Sequence, residues 1–428
     1  MRPLRTRASV AAGGVIVLLA GPHVAASTTG SPMPSPTAVI AFVDESPGIN
    51  LLHHDFATAD GRDVVLPAGM PAHTVVSLPR TGSFAQRLAQ LAAGPLGHLR
   101  PGVPVYVRGT RLIVVTAPGS TVPVTDVLAG DRLHATGVVD SAIGRRYGTA
   151  PAAIGLLVLG SAPSAYEWVA SQPWVDLVST SGYDLPQLQA SSGAGPTAQL
   201  CVAAAAVHAI TASGRVVFSS AGNTTDTAEQ VSVPNGLPDV YQVGGVDRSG
   251  ATYLPPNADE GDPFYAAGTT QRPYDTGELY SFPAASPDAF DGSVHFGGTS
   301  GATPRTAGWA ADLLIEARRL LRATPNRTTR VGLAVRGRTG SRLPHGPLAD
   351  GAFNGRELVD VLLHVAQPAA PATPARYFVE GYGALGSAPV SLGRRVLGGT
   401  TALPTRADED SAYALVHRAR AATEPVGC

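Results

Sequence analysis

Gly297-Gly298-Thr299-Ser300-Gly301-Ala302-Thr303-Pro304-Arg305-Thr306-Ala307-Gly308 sets one serine between a glycine–threonine turn and a run of small residues. Trp309, Leu313, Leu314, Ala317, Leu320 and Leu321 follow at helical spacing, so the stretch reads as a loop, a serine and a buried helix. Proline suits a first helical turn, where N–H groups lack intrahelical acceptors, and Pro304 is expected there. Small side chains pack closely and leave Ser300 uncovered. A helix N-terminus also places a partial positive charge beside the hydroxyl, which favours negative charge developing there. The plainer alternative is a helix cap, for which Ser and Thr are common choices.

Apolar strands and helical stretches alternate on both sides of much of the remaining chain. Ala38-Val39-Ile40-Ala41-Phe42-Val43 is a continuous apolar run that ends on Asp44, the pattern of a strand buried on both faces of a parallel sheet. Ile154 to Leu159, Val175 to Ser179, Val216 to Ser219 and Val240 to Val246 repeat it, with helical stretches between them. The expectation is an α/β fold with a doubly wound, mostly parallel β-sheet flanked by helices. Ser83 to Ala93 is helical in pattern, and Val103 to Thr116 reads as two strands around Arg108-Gly109-Thr110. The segment 251–296 reads as loop, Gly355 to Val365 as a helix and 368–375 as a Pro/Ala linker.

Gly298, Thr299, Ser300, Ala302 and Pro304 fill every fixed position of Gly-Thr-Ser-x-[Ser/Ala]-x-Pro. The stretch therefore resembles the serine motif of subtilisin-like serine peptidases (subtilases, peptidase family S8, of the secreted bacterial type). Gly48-Ile49-Asn50-Leu51-Leu52-His53-His54-Asp55-Phe56 after Asp44 is similar to the continuation of that family's aspartate motif, with Glu45-Ser46-Pro47 intervening and His54 where the family has proline. His134-Ala135-Thr136 resembles its His-Gly-Thr, with Ala135 in place of glycine, and Tyr147-Gly148-Thr149-Ala150-Pro151 resembles the family text that follows. Val216-Val217-Phe218-Ser219-Ser220-Ala221-Gly222-Asn223 resembles its asparagine motif.

The resemblance implies a subtilisin-like fold and a serine endopeptidase. In it Ser300 is the nucleophile, His134 the base and Asp44 the group that orients the base, in the family's Asp…His…Ser chain order. Asn223 is then the oxyanion donor. Residues 181–183, Ser181 and Gly182 above all, form the strand edge on which substrate lies extended and pairs main chain to main chain. His54 and His98 are the rival bases. Rival readings of the whole chain are a catalytically inactive secreted subtilase-fold binding protein, an α/β hydrolase and a Ser-Glu-Asp peptidase. Ala302 stands where the hydrolase elbow has its last glycine, and the Ser-Glu-Asp site needs a Glu base and an Asp at position 223.

A chain of 428 residues, 44% of them hydrophobic, with a net charge of −1, supplies a sizeable core and offers no basic surface for nucleic acid or anionic membranes. Every basic residue is arginine. Residues 1–26 read as a signal peptide, with Arg2, Arg5 and Arg7 ahead of a short apolar stretch and a cut near Ala26. A Ser/Thr/Pro-rich linker at 27–37, a peptidase domain at 38–397 with a long insertion at about 57–130, and a polar tail at 398–428 follow. The product is expected to be secreted, monomeric and free of the membrane after signal cleavage, with a polypeptide substrate. Cys201 is expected as a buried thiol and Cys428 as an unpaired terminal residue. No cofactor and no catalytic metal are expected; Asp259-Glu260-Asp262 reads as a solvated loop, and a structural calcium is left open.

Overall fold

Every residue of β1 (Val39–Asp44) is buried, as a run without polar alternation requires. The computed structural model describes residues 37–44, 49–98, 100–120, 134–181, 198–220, 234, 237, 240–246, 264–267, 279–281, 293–295, 298–321, 335–336, 346–366 and 384–404. The strands after β1 are β2 (Thr74–Val76), β3 (Val105–Val107), β4 (Leu112–Thr116), β5 (Ile154–Leu159), β6 (Leu177–Thr180), β7 (Val216–Ser220), β8 (Val240–Val246) and β9 (Phe264–Ala267). Then come β10 (Leu279–Ser281), β11 (Ser293–His295), β12 (Val335–Arg336), β13 (Ala352–Phe353) and β14 (Ala384–Leu385). Ten of them form one sheet in the order β14-β9-β8-β7-β6-β1-β5-β4-β3-β2. Every pair in it is parallel except the β3–β4 hairpin.

The helices are α1 (Phe84–Ala93), α2 (His134–Ile143), α3 (Ala162–Ala170), α4 (Ala198–Ala212), α5 (Gly298–Leu320), α6 (Gly355–Val365) and α7 (Ser387–Leu397). Alternate residues of a strand face opposite sides, and β1 divides its side chains that way. Ile40 and Phe42 join a core with Ala142, Leu313, Leu362 and Val396 from α2, α5, α6 and α7. Val39, Ala41 and Val43 join a second with Tyr166 and Ile210 from α3 and α4. The sheet is thus doubly wound, and β1 sits between β5 and β6, where the strand order reverses direction. Open α/β sheets carry their sites at the carboxyl ends of the strands at such a point.

The opposite end of the sheet is pinned by a buried ion pair. Arg318, near the end of α5, donates to both Asp176 oxygens, at 2.6 and 3.0 Å, and to the Thr37 carbonyl. Asp176 also accepts the Val39 N–H at 2.8 Å. Both side chains are sealed from water. Close packing of α5 on α2 needs Gly308, where a Cβ would run into Thr149 Oγ1.

Several expectations are corrected. Pro304 is the seventh residue of α5, inside the helix and past its first turn. The segment read as loop at 251–296 contributes three short strands, one of which, β9, extends the main sheet. α7 carries Arg394 and Arg395 among its apolar positions; it lies in a stretch with no helical expectation. Within 57–130, the strands β2, β3 and β4 extend the sheet beyond β5, and α1 follows β2 in the chain. Cys201 is disulfide-bonded, against the expected free thiol, and Cys428 is the chain's one other cysteine. The expected signal peptide, and the linker up to residue 36, lie outside the described residues; among those described, no helix is long and apolar enough to cross a membrane.

Candidate active site

Asp44 closes β1, and its register against Leu159 of β5 places it at the carboxyl edge of the sheet. His134 opens α2. The two meet: His134 Nδ1 and Asp44 Oδ2 are 2.9 Å apart, with the Asp44 side chain fully buried and His134 30% exposed. A carboxylate only accepts, so Nδ1 carries the proton and Nε2 keeps its lone pair. Burial works against the imidazolium, but the charge of Asp44 and its hydrogen bond outweigh it, and the imidazole is raised above its ordinary value. The chain beyond β1 is tied to the same helix, because the Asn50 N–H donates to Thr136 Oγ1 at 2.9 Å. Thr136 is the motif position that matches, and Ala135, in place of glycine, is buried.

Ser300 is the third residue of α5 and is half-buried. Its hydroxyl donates to the Ser181 carbonyl at 3.0 Å. The Pro304 ring supplies no N–H to the carbonyl four residues back, which is that of Ser300. Thr303 and Thr306 turn their hydroxyls to the carbonyls of Thr299 and Ala302, at 2.8 and 3.1 Å, so this turn of polar side chains is satisfied within the helix.

Ser181 follows β6 directly. β6 pairs with β1 on one side and β7 on the other as far as Thr180. Of the expected substrate edge at 181–183, only Ser181 lies within the described residues. Tyr166 of α3 donates to Thr180 Oγ1 at 3.0 Å and steadies this strand end. The sequence gives Tyr166 no signal of its own beyond an aromatic on a buried helix face.

Asp44 and His134 are thus brought together, and Ser300 is brought to Ser181. Asn223 and Gly182 lie outside the described residues. Of the rival bases, His54 is an exposed residue of the 3-10 turn His54–Phe56, and His98 ends the 3-10 turn Pro95–His98; Asp44 pairs with His134.

The family model described as Subtilase family matches residues 164–334. Among solved structures, the chain is similar to the patellamide maturation protease PatA, at 19% identity over 86% of this chain and 100% of that one, with a TM-score of 0.47. It is similar to the prenylagaramide maturation protease PagA at 16% identity over 84% of this chain and 94% of that one, TM-score 0.44. The PatG macrocyclase in complex with peptide matches at 14% identity over 85% of this chain and 92% of that one, TM-score 0.44. No curated protein matches the chain.

Proposed function

We propose, from the match of residues 164–334 to the Subtilase family model, that this chain is a secreted serine endopeptidase of that family. The observation that carries the reading is the 2.9 Å contact of His134 Nδ1 with the buried Asp44 carboxylate. That contact holds the tautomer in which Nε2 can accept a proton. Ser300, in the first turn of α5, turns its proton from the Ser181 carbonyl to Nε2 as its Oγ attacks the scissile carbonyl. The helix N-terminus, the Ser300 N–H and the Asn223 amide stabilise the oxyanion. His134 then returns the proton to the leaving amine, and water repeats the sequence on the acyl-enzyme. An extended polypeptide pairs with main-chain groups from Ser181 and Gly182 onward.

Export is supported by the disulfide at Cys201, since such bonds persist in oxidising compartments. Labelling with a fluorophosphonate probe tests the reading, beside Ser300→Ala and His134→Ala. Labelling that requires both residues is expected. Labelling that survives His134→Ala would remove His134 as base, and a folded wild type that never labels would leave the inactive binding protein.

A further inference from the structure

Six residues along α2 from His134, Asp140 is fully buried. Neither of its carboxyl oxygens meets an N–H donor among the described residues. The helix packs against the 3-10 turn His54–Phe56, and the carboxyl that interacts with Asp140 is Asp55, also sealed from water. Asp55 Oδ1 accepts Arg146 Nε at 2.8 Å, and Oδ2 accepts the Arg146 N–H at 3.1 Å. The Asp55 carbonyl takes the Arg145 N–H at 2.9 Å. The turn after α2 is thereby strapped to the segment that leaves Asp44.

Among the described residues, the charged and titratable groups around this cluster come from three elements. Asp55 and His53 belong to the 49–57 loop, where His53 Nδ1 accepts the Asp55 N–H at 3.3 Å. Arg146 comes from the turn after α2. From α5, Arg305 is directed to the Tyr147 carbonyl, at 3.3 Å. One guanidinium for two buried carboxyls leaves a negative charge uncompensated, which is costly in a dry interior. A bound cation does not fit, because Arg146 already engages both Asp55 oxygens. No cluster of three or more His, Cys, Asp or Glu suited to a metal occurs among the described residues. A proton does fit: a protonated Asp140 donates and Asp55 accepts. Gly144 leaves the room, since a Cβ there would run into Asp140 Oδ1.

We propose that Asp140 is a positioning residue, a neutral acid that donates to Asp55 and so pins the His134 helix to the loop leaving Asp44. Its role toward His134 rests on the peptidase reading; its protonation does not. Burial, then the charge of Asp55 and the hydrogen bond to it, push the Asp140 acid well above its ordinary value, and Arg146 offsets only part of this. In the unfolded chain Asp140 ionises near pH ~4. Between that pH and its raised folded value the native state holds a proton that the unfolded state has lost, so this group makes stability fall as pH rises.

Asp140→Asn supplies a donor of the same shape that never ionises. The thermal midpoints of the full-length wild type and Asp140→Asn are compared from pH 4 to pH 8. The wild type is expected to lose ground to the variant steadily as pH rises. A gap independent of pH, or an Asn variant that loses ground toward neutral pH or fails to fold, would show an ionised Asp140 and overturn the proposal. For the positioning role, fluorophosphonate labelling is expected to drop about tenfold or more in Asp140→Ala and to be rescued in Asp140→Asn. The wild-type to Asn rate ratio is also expected to fall as pH climbs through the Asp140 ionisation. Equal losses in both variants would overturn the role. If the wild type does not label at all, the peptidase reading and the positioning role fail together, while the midpoint series still decides the protonated acid.

Discussion

His134 Nδ1 reaches Asp44 Oδ2 at 2.9 Å across ninety residues of chain. The partner sits at the end of a strand fixed on both sides, so the imidazole gains its orientation from the centre of the sheet. Because Asp44 raises His134 above its ordinary value against the opposing effect of burial, the acid limb of the labelling rate is expected above pH 6.5. Asp44→Asn removes the charge, so the limb should move to lower pH while the plateau rate falls by roughly three to four orders of magnitude. The sign for stability is the same as that for Asp140, at a higher pH because the unfolded imidazole titrates higher. A raised His contributes stability below its unfolded value, and the contribution is lost as pH rises through the folded one. Asp44→Asn should therefore cost more stability at pH 5 than at pH 9. A rate profile whose acid limb does not move in the variant would refute this coupling.

Arg318 and Asp176 predict a different kind of loss. Arg318→Met leaves the Asp176 carboxylate buried with the Val39 N–H as its hydrogen-bond donor among the described residues and with the charge of Arg215 as remaining compensation, and breaking such a pair costs about 3–5 kcal/mol. Removing both charges in Arg318→Met with Asp176→Leu should recover part of that, though Val39 then loses its acceptor. Urea unfolding of the two variants checks the order. A single variant more stable than the double would overturn it.

Gly308 carries the contact between the helix of Ser300 and the helix of His134. Gly308→Ala places a methyl against Thr149 Oγ1, an overpacking worth about 1–3 kcal/mol. Thr149 Oγ1, in the turn after α2, donates to the Arg305 carbonyl of α5, and the Ala142 carbonyl of α2 lies 3.2 Å from the added methyl; admitting it disturbs this seam, so the labelling rate should fall along with the thermal midpoint. A variant that loses neither would show that the two helices have slack.

The elements that could be read from sequence are those whose pattern has one structural solution. A six-residue apolar run ending on Asp44 has nowhere to go but the middle of a parallel sheet, and β1 lies there. Ser83 to Ala93 reads as a helix by its pattern, and α1 forms there with both halves of a Ser83–Gln86 capping box. Misreadings arose where local pattern underdetermines the outcome. Pro304 costs the Ser300 carbonyl its helical donor, a loss that the packing of α5 outweighs, and the helix begins earlier than the proline suggests. Asp55 and Asp140 come from separate segments, and nothing in either local sequence says that they face each other.

The Cys201 bridge makes the last prediction. Local sequence favoured a free thiol, because an alanine-rich helix houses one without strain and Cys428 ends the chain. Yet Cys201 is oxidised, and a bond between the two cysteines closes a loop of roughly 230 residues, for which the chain-entropy account gives about 5 kcal/mol at most. Losses on removing native disulfides run about 2–5 kcal/mol, so Cys201→Ser should lower unfolding stability by that order. Treating the wild type with dithiothreitol should lower it equally, because both remove one bond. Thiol titration of the unreduced, denatured protein should find no reactive cysteine. One free thiol per chain, or a Cys201→Ser variant as stable as its parent, would show that the helix holds without the bond.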